Sequence, residues 1–315
     1  MIWCDNSILE SVAKCTTQVL MQYVFGWTTK GGKIMANAGK AIHKSHEIWF
    51  AGWDLTASMA EFDKYYDLWV APDAGELEPK DACQKENLRA VVEQYYLNHG
   101  PEFFPFEPVV EAIERIHGFP FGEIEGEEVM FFGLVDLPVR EKKTNALYVC
   151  DHKNRFGYIS EWWTKKFALT SQFSGYIWLL QKLHNEMVPG VYVNAIQVQK
   201  LPDPTTRKCA THKVPYSQCW EQHAKSQLFI TTRTPQAINA WEIQARSLAA
   251  RYVRLRRAFQ TVEMVPYAPD EGRFSGACVF CDFRKWCRAD RPVQMVEGMF
   301  INQPWEPWVE GGRPQ

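Results

Sequence analysis

The chain lacks any apolar run near the roughly 18 residues that a membrane-spanning helix requires, so nothing in it argues for insertion in a bilayer. Its start, Met1-Ile-Trp-Cys-Asp-Asn6, has neither the basic nor the apolar stretch of an export signal, and a cytoplasmic location is expected. An excess of either charge is also missing: 35 Lys and Arg stand against 37 Asp and Glu, a net of −2. That balance does not announce a nucleic-acid binder. Local stripes such as Arg251, Arg254, Arg256 and Arg257, or Lys165-Lys166, can still build a basic groove on a neutral protein. Internal repeats and low-complexity tracts are absent, which removes solenoids and disordered arrays as the architecture. Helix-breaking proline is missing between residues 7 and 70.

What is present describes a globular protein with a full core. At 315 residues, 46% hydrophobic and 14% aromatic, the chain can form one elaborated domain or two closely joined ones. Residues 7 to 70 read as helices, with Ser7 as the expected N-cap and Ile8, Val12, Val19, Leu20, Tyr23 and Val24 recurring near helical spacing. A Pro/Gly/Glu loop from Ala71 to Lys80 closes that unit, and another helix is predicted over about 81 to 99. The pattern then turns β-like from 107 to 153, with apolar runs at Val109-Val110, Val129 to Val139 and Ala146 to Asp151. Helix returns over 158 to 187, residues 190 to 199 alternate like a strand, and 216 to 262 read as helix. Helices, a strand meander, then helix and strand predict an α/β fold around a central mixed sheet.

Two sets of residues carry chemistry. Cys278-Val-Phe-Cys281 is followed after five residues by Cys287, a C-x2-C-x5-C triplet whose turn can aim thiolates at one metal or one cluster edge. Nine cysteines, an odd number without an export signal, favour thiols and metal ligands over a disulfide framework. Zinc and an iron-sulfur cubane both want four ligands, so one is missing from the triplet, and three core cysteines in a terminal helix are the plainer alternative. The second set lies where strands end. Asp136 closes Phe131-Phe-Gly-Leu-Val-Asp136, and Asp151-His-Lys153 closes the next run. Strand residues two apart share a face, so Asp151 and Lys153 project together about 7 Å apart. Two carboxylates and an ammonium suit a magnesium or manganese ion that activates water against a phosphodiester. A surface ion pair at a strand terminus would look the same in sequence.

These residues resemble the motifs of the PD-(D/E)XK nuclease superfamily in its RecB-like branch: Gly133-x-x-Asp136, Asp151-x-Lys153, then Gln172-Phe-Ser-Gly-Tyr176, with Gly39-Lys-Ala-Ile-His43 upstream. The resemblance spans residues 7 to 291 with each motif in order. It implies catalytic Asp136, Asp151 and Lys153, metal ligands His43, Asp136 and Asp151, and Gln172 and Tyr176 on the nucleic acid. Iron-sulfur members, including AddB-type nucleases and CRISPR-adaptation exonucleases, place one cysteine before the histidine motif. The resemblance therefore implies a [4Fe-4S] cluster on Cys15, Cys278, Cys281 and Cys287. The implied fold is a restriction-endonuclease-like core, its central mixed β-sheet flanked by helices, with the N-terminal helical part and C-terminal segment joined by the cluster. Its divisions would be a helical region over 1–106, a nuclease core over 107–200, a helical region over 201–291 and a tail over 292–315.

The implied activity is metal-dependent cleavage of DNA, single-stranded or with free ends, by an exonuclease more than an endonuclease. It leaves room for protein partners in a recombination, repair or adaptation complex. Asn154 departs from the small hydroxyl residue usual after the lysine, and His152 stands between the catalytic pair; neither removes a ligand. Glu111 or Glu114 could join the site. Plainer readings stand beside these: His43 as a helix-surface histidine, and Tyr176 as core among Phe173, Ile177 and Leu180. Cys209-x2-His212 and Cys219-x3-His223 have zinc-like spacing in a polar, Pro-rich loop, and Trp305-Glu-Pro-Trp308 could dock on its own body or on a partner. Two other functions fit the same residues: a non-cutting DNA-binding adaptor, and a zinc-stapled endonuclease.

Overall fold

The first helix begins two residues earlier than its sequence suggests. In the computed structural model, which describes residues 1–29, 34–75, 77, 81–198, 208, 213–215, 225–265 and 276–306, the N-cap is Asp5 and not Ser7. Asp5 Oδ1 accepts from the Ile8 N–H at 2.8 Å, satisfying an orphan donor of the first turn. Strand β1 (Ile2–Cys4) precedes this cap, and α1 (Asn6–Lys14) follows it. Cys15 breaks the helix in extended backbone, and its sulfur then caps α2 (Thr16–Val19) by accepting from Gln18 N–H at 3.5 Å. A π-helical turn, Leu20–Val24, leads to β2 (Trp27–Thr29).

Four helices follow: α3 (Ile34–Gly52), α4 (Leu55–Trp69), the short α5 (Ala71–Ala74) and α6 (Lys85–Asn98). The β-like stretch resolves into β3 (Phe106–Pro108), β4 (Arg115–Ile124), β5 (Glu127–Val135), β6 (Leu137–Glu141) and β7 (Leu147–Phe156). After α7 (Glu161–Lys165) and α8 (Ser171–His184) come β8 (Gly190–Val198) and β9 (Ser226–Thr232). The long α9 (Pro235–Ala258), α10 (Arg284–Arg288), α11 (Val296–Met299) and β10 (Phe300–Asn302) complete the described elements.

Strand β9 corrects the helix expected over 216 to 262. Gln-Leu-Phe-Ile-Thr-Thr is rich in β-branched and aromatic residues, and it pairs antiparallel with β8 from Gly190↔Thr232 to Ile196↔Ser226. Residues 216–224 lie outside the described residues, and from Pro235, with Thr234 as its cap, the chain is helical to Ala258.

The strands form a five-stranded sheet in the order β3-β6-β7-β8-β9, a three-stranded sheet β1-β5-β4, and the pair β10-β2. In the larger sheet β7 and β8 run parallel and the other neighbours antiparallel, so the sheet is mixed as expected. All nine residues of β8 are buried, because both faces are covered. Val191, Val193 and Ala195 pack into one hydrophobic core with α8, α1 and α9; Tyr192, Ile196 and Val198 pack into another with α3, α4 and α6. The same alternation along β7 sends Asp151 and Lys153 toward the α8 side and His152 toward α3. Trp178 of α8 is buried with its indole N–H donated to Glu242 of α9 at 2.7 Å, which fastens those helices.

At Asp136 the chain leaves β5 of one sheet and enters β6 of the other. No described helix is long and apolar enough to cross a membrane.

Candidate active site

The junction between the sheets gathers the acids. Asp136 is buried, and its Oδ2 accepts from the His152 main-chain N–H at 2.8 Å, so strand β7 aims it. Glu114 precedes β4 in a left-handed backbone conformation, φ 48°, which non-glycine residues rarely adopt. Its N–H donates to the Asp136 carbonyl at 2.9 Å, and this bond holds the turn that delivers its carboxylate. From α3, His43 Nδ1 approaches Glu114 Oε1 at 3.4 Å and Asp136 Oδ2 at 3.5 Å. Ligand atoms of His43, Glu114 and Asp136 all lie within 4.8 Å of one another, and among the described residues no other group of three or more His, Cys, Asp or Glu does so.

Burial and proximity set the protonation. Burial raises Asp136, with the neighbouring Glu114 adding to it and His43 opposing. Burial also lifts Asp151, to about 6, against the pull of Lys153. For His43, burial alone would lower the imidazole, but the Asp136 charge and the Glu114 contact outweigh it and raise it to about 9. Glu114 Oε1 is buried with no hydrogen bond of good geometry. Crowded carboxylates, an unsatisfied oxygen and an imidazole are the donor set of a hard divalent cation.

Lys153 stands beside this group. Its Nζ contacts both Asp151 oxygens, at 2.9 and 2.7 Å, and reaches Gln172 Oε1 at 3.3 Å. Burial would discharge the ammonium, yet Asp151 and then Asp136 outweigh it and keep it charged. Gln172 in turn donates from Nε2 to the Tyr176 hydroxyl at 2.9 Å. Tyr176 is buried in the core between α8 and β5, 6% exposed, which corrects its expected place beside the scissile phosphate and outside the core. Its ring explains Gly133: a Cβ there would lie 3.1 Å from Tyr176 Cε1.

On the opposite face of β7, His152 is held in a buried net. Its Nδ1 lies 2.9 Å from Asn194 Nδ2, its strand partner, and Asn194 donates to the Tyr95 hydroxyl at 2.7 Å. The Phe50 ring stacks on the imidazole at 5.0 Å, and burial keeps His152 far below its usual pKa, hence neutral. Asn154, the departure from the motif, donates to the Gly39 carbonyl at 3.4 Å and so ties β7 to the helix that carries His43.

The site opens into a cleft of about 680 Å³ whose lining, among the described residues, holds five Lys and Arg side chains, Lys40, Lys44, Lys153, Arg155 and Lys166, against the one carboxylate of Glu114. That balance suits a polyanion that reaches down to the acids.

A family model described as the PD-(D/E)XK nuclease superfamily matches residues 6–288. The chain belongs to this superfamily. Among solved structures, a candidate exonuclease from Eubacterium rectale is 11% identical, with 97% of this chain and 91% of that one covered and a TM-score of 0.46. A protein designated SSO0001 is 12% identical over 90% of this chain and 95% of that one, at a TM-score of 0.34. Both likenesses are loose, and the family assignment rests on the match over 6–288 alone. No curated protein matches.

Within this PD-(D/E)XK nuclease the predicted residues fall in several places. His43 and Asp136 join the tight group. Asp151 is not part of it; its oxygens are engaged by Lys153. Glu114 takes the third position, which sequence left open between two glutamates. Nothing short of the fold distinguishes them, because a left-handed glutamate has no sequence signature.

Two of the arginines of α9 are neutralised locally, since Arg254 and Arg257 pair with Glu125 and Glu127 of the β4-β5 hairpin, at 2.6 and 2.8 Å. Cys15, Cys278, Cys281 and Cys287 line one cavity of about 130 Å³, which Arg284, Arg288 and Arg291 also line. Trp305 docks on its own body, edge-on to Tyr23 and tilted on Phe132, each at 5.4 Å. Cys209, His212, Cys219, His223 and Trp308 lie outside the described residues.

Proposed function

We propose that this nuclease is a magnesium- or manganese-dependent deoxyribonuclease of the RecB-like branch, that it processes DNA from ends, and that a [4Fe-4S] cluster on Cys15, Cys278, Cys281 and Cys287 fastens its C-terminal segment to its first helices. The observation that carries the hydrolytic part is the convergence of His43, Glu114 and Asp136 within 4.8 Å at the base of a cation-lined cleft. Those three residues, with Asp151 beside them, would hold the ion. A divalent ion there supplies Lewis acidity at a phosphate oxygen and a more acidic bound water.

The chain's own groups do the rest. Lys153 is charged and faces the site, where its ammonium can steady the negative charge that develops on the phosphoryl oxygens. Gln172 holds that ammonium by its carbonyl and is itself oriented by the Tyr176 hydroxyl, so Tyr176 is a positioning residue that acts through Gln172. The phosphates leading to the scissile bond meet Lys40, Lys44, Arg155 and Lys166 in the cleft.

The shared cavity of the four cysteines supports the cluster. Thiolates around one zinc, with Zn–S about 2.3 Å, would stand roughly 3.8 Å apart. Among the described residues no three of these cysteines offer sulfurs within 4.8 Å of one another. Cys15 comes from between α1 and α2 and the other three from 278–287, so loss of the cluster would loosen a closure of long sequence span.

The test compares an end-labelled linear single strand with a closed circle of the same sequence, in Mg2+ or Mn2+. Loss of the linear strand alone supports the end-dependent reading. Equal cleavage of both identifies an endonuclease, and cleavage of neither rejects the enzyme.

A further inference from the structure

The segment between β7 and α8 forms one lip of the cleft, and it shows large apolar side chains to solvent. Tyr158 is 74% exposed and Trp162 78%, whereas their neighbours Trp163 and Phe167 are buried. Leu169 at the end of the same segment is exposed as well, at 92%, so the lip carries a run of large apolar side chains in water, and such a run is a candidate contact surface. This lip is braced. The Ser160 hydroxyl caps α7, the Ile159 N–H donates to Gln197 Oε1 at 2.9 Å, and Arg233 Nη2 donates to the Phe167 carbonyl at 2.9 Å. Trp163 and Phe167 meet edge to face at 4.9 Å and root it in the core.

The same lip carries charge toward the active site. Lys166, four residues after Trp162, lines the cleft with its ammonium over the rings of Trp163 and Phe167, at 4.9 and 4.7 Å, while Trp162 and Tyr158 stand outside that lining on the solvent side of the lip. Arg155 lines it too, and donates from Nε to the Tyr158 carbonyl at 3.3 Å, which couples the exposed tyrosine to the cationic wall. Lys166 is pulled down by burial and then by the like charges of Arg155 and Lys153, a crowding that an anion would relieve.

We propose that Tyr158 and Trp162 form a base-stacking platform at the lip of the cleft, taking unpaired bases of a nucleic-acid strand whose phosphates run past Arg155 and Lys166. The proposal rests on the nuclease reading of the cleft and names the form of its substrate. Flat aromatic faces accept any base, so the platform is tolerant of sequence, while a base already stacked and paired in a duplex is withheld from it. Charge complementarity selects this occupant: the two exposed aromatics are flanked in the chain by Arg155 and Lys166, both on the cleft wall, so a strand could set its phosphates on the cations and its bases on the rings.

The experiment measures binding by the full-length wild type, Trp162→Ala, Trp162→Phe, Tyr158→Ala and Lys166→Ala. The probes are a short labelled single strand, the same strand made abasic, and its duplex. Trp162→Ala should weaken the base-bearing strand about tenfold or more, leave abasic-strand affinity as in wild type, and be largely restored by Trp162→Phe. Lys166→Ala should weaken the base-bearing and abasic strands alike and flatten the salt dependence. Equal binding of the base-bearing strand by wild type and both alanine variants of the aromatics overturns the platform, as does an equal loss on the abasic strand. Tight duplex binding that depends on Trp162 overturns it as well. Cleavage of the same strand by the wild type judges the nuclease reading separately, so the two can fail independently.

Discussion

Metal binding should expel a proton from His43, and the structure sets the size of the effect. In the metal-free protein the Asp136 charge and the Glu114 contact overcome burial and hold the imidazole near 9. At about pH 7.5 such a group is protonated in roughly 97% of molecules. An imidazole that ligates a metal must give that proton up. Each bound ion should therefore release about one proton at that pH, and affinity should rise about tenfold per pH unit between roughly 6.5 and 8.5, or about 1.4 kcal/mol per unit. Below about 6 the dependence should steepen, because Asp151, lifted to about 6 mainly by burial, then carries a competing proton as well. Above 9 it should level off.

The sign for stability runs the other way in the metal-free protein. Raising His43 above its usual value contributes stability that is full below about 6.5 and is lost as pH rises through 9. Calorimetric titration of Mn2+ in buffers of different ionisation enthalpy counts the proton directly. Release near zero at pH 7.5, or a slope unchanged in His43→Ala, would refute the assignment of His43 as a ligand.

Three further outcomes are expected. Glu114→Ala should weaken Mn2+ binding at least tenfold while Glu111→Ala, whose carboxylate is outside the group, should not; equal affinities in a metal titration would remove Glu114 from the site. Gly133→Ala should cost about 1–3 kcal/mol in denaturant unfolding, since its methyl would meet the Tyr176 ring at 3.1 Å, and an unchanged midpoint would show that the ring is not wedged there. Anaerobically purified protein should be brown with about four irons, and Cys15→Ser should lose both colour and thermal stability; colourless protein with stoichiometric zinc would overturn the iron assignment.

Much of the site was legible because the strand period is rigid. Asp151 and Lys153 had to share a face of β7, and they do, with Nζ on both carboxylate oxygens. The i, i+4 spacing of Gln172 and Tyr176 likewise foretold their contact on one helix face. Periodicity could not say that this face turns inward, which depends on Gly133 letting the ring approach β5. Glu114 was hidden for a different reason: its role depends on a positive φ stabilised by a hydrogen bond to a residue 22 positions away in the chain, Asp136. Strand β9 was masked by its neighbours, a short half-exposed segment running directly into the 24-residue α9. Strand β4 was hidden within the β-like stretch, interrupted by a register shift between Pro120 and Gly122.

The proposed role of Asp151 and Lys153 is to cut DNA beside the His43, Glu114 and Asp136 group. Its most direct test is cleavage of an end-labelled single strand in Mn2+ by wild type, Asp151→Ala and Lys153→Ala, with folding and strand binding measured on the same preparations. The wild type should degrade the strand, and both variants should fold and bind yet lose at least about a hundredfold in rate. Wild-type cleavage by both variants would contradict the account.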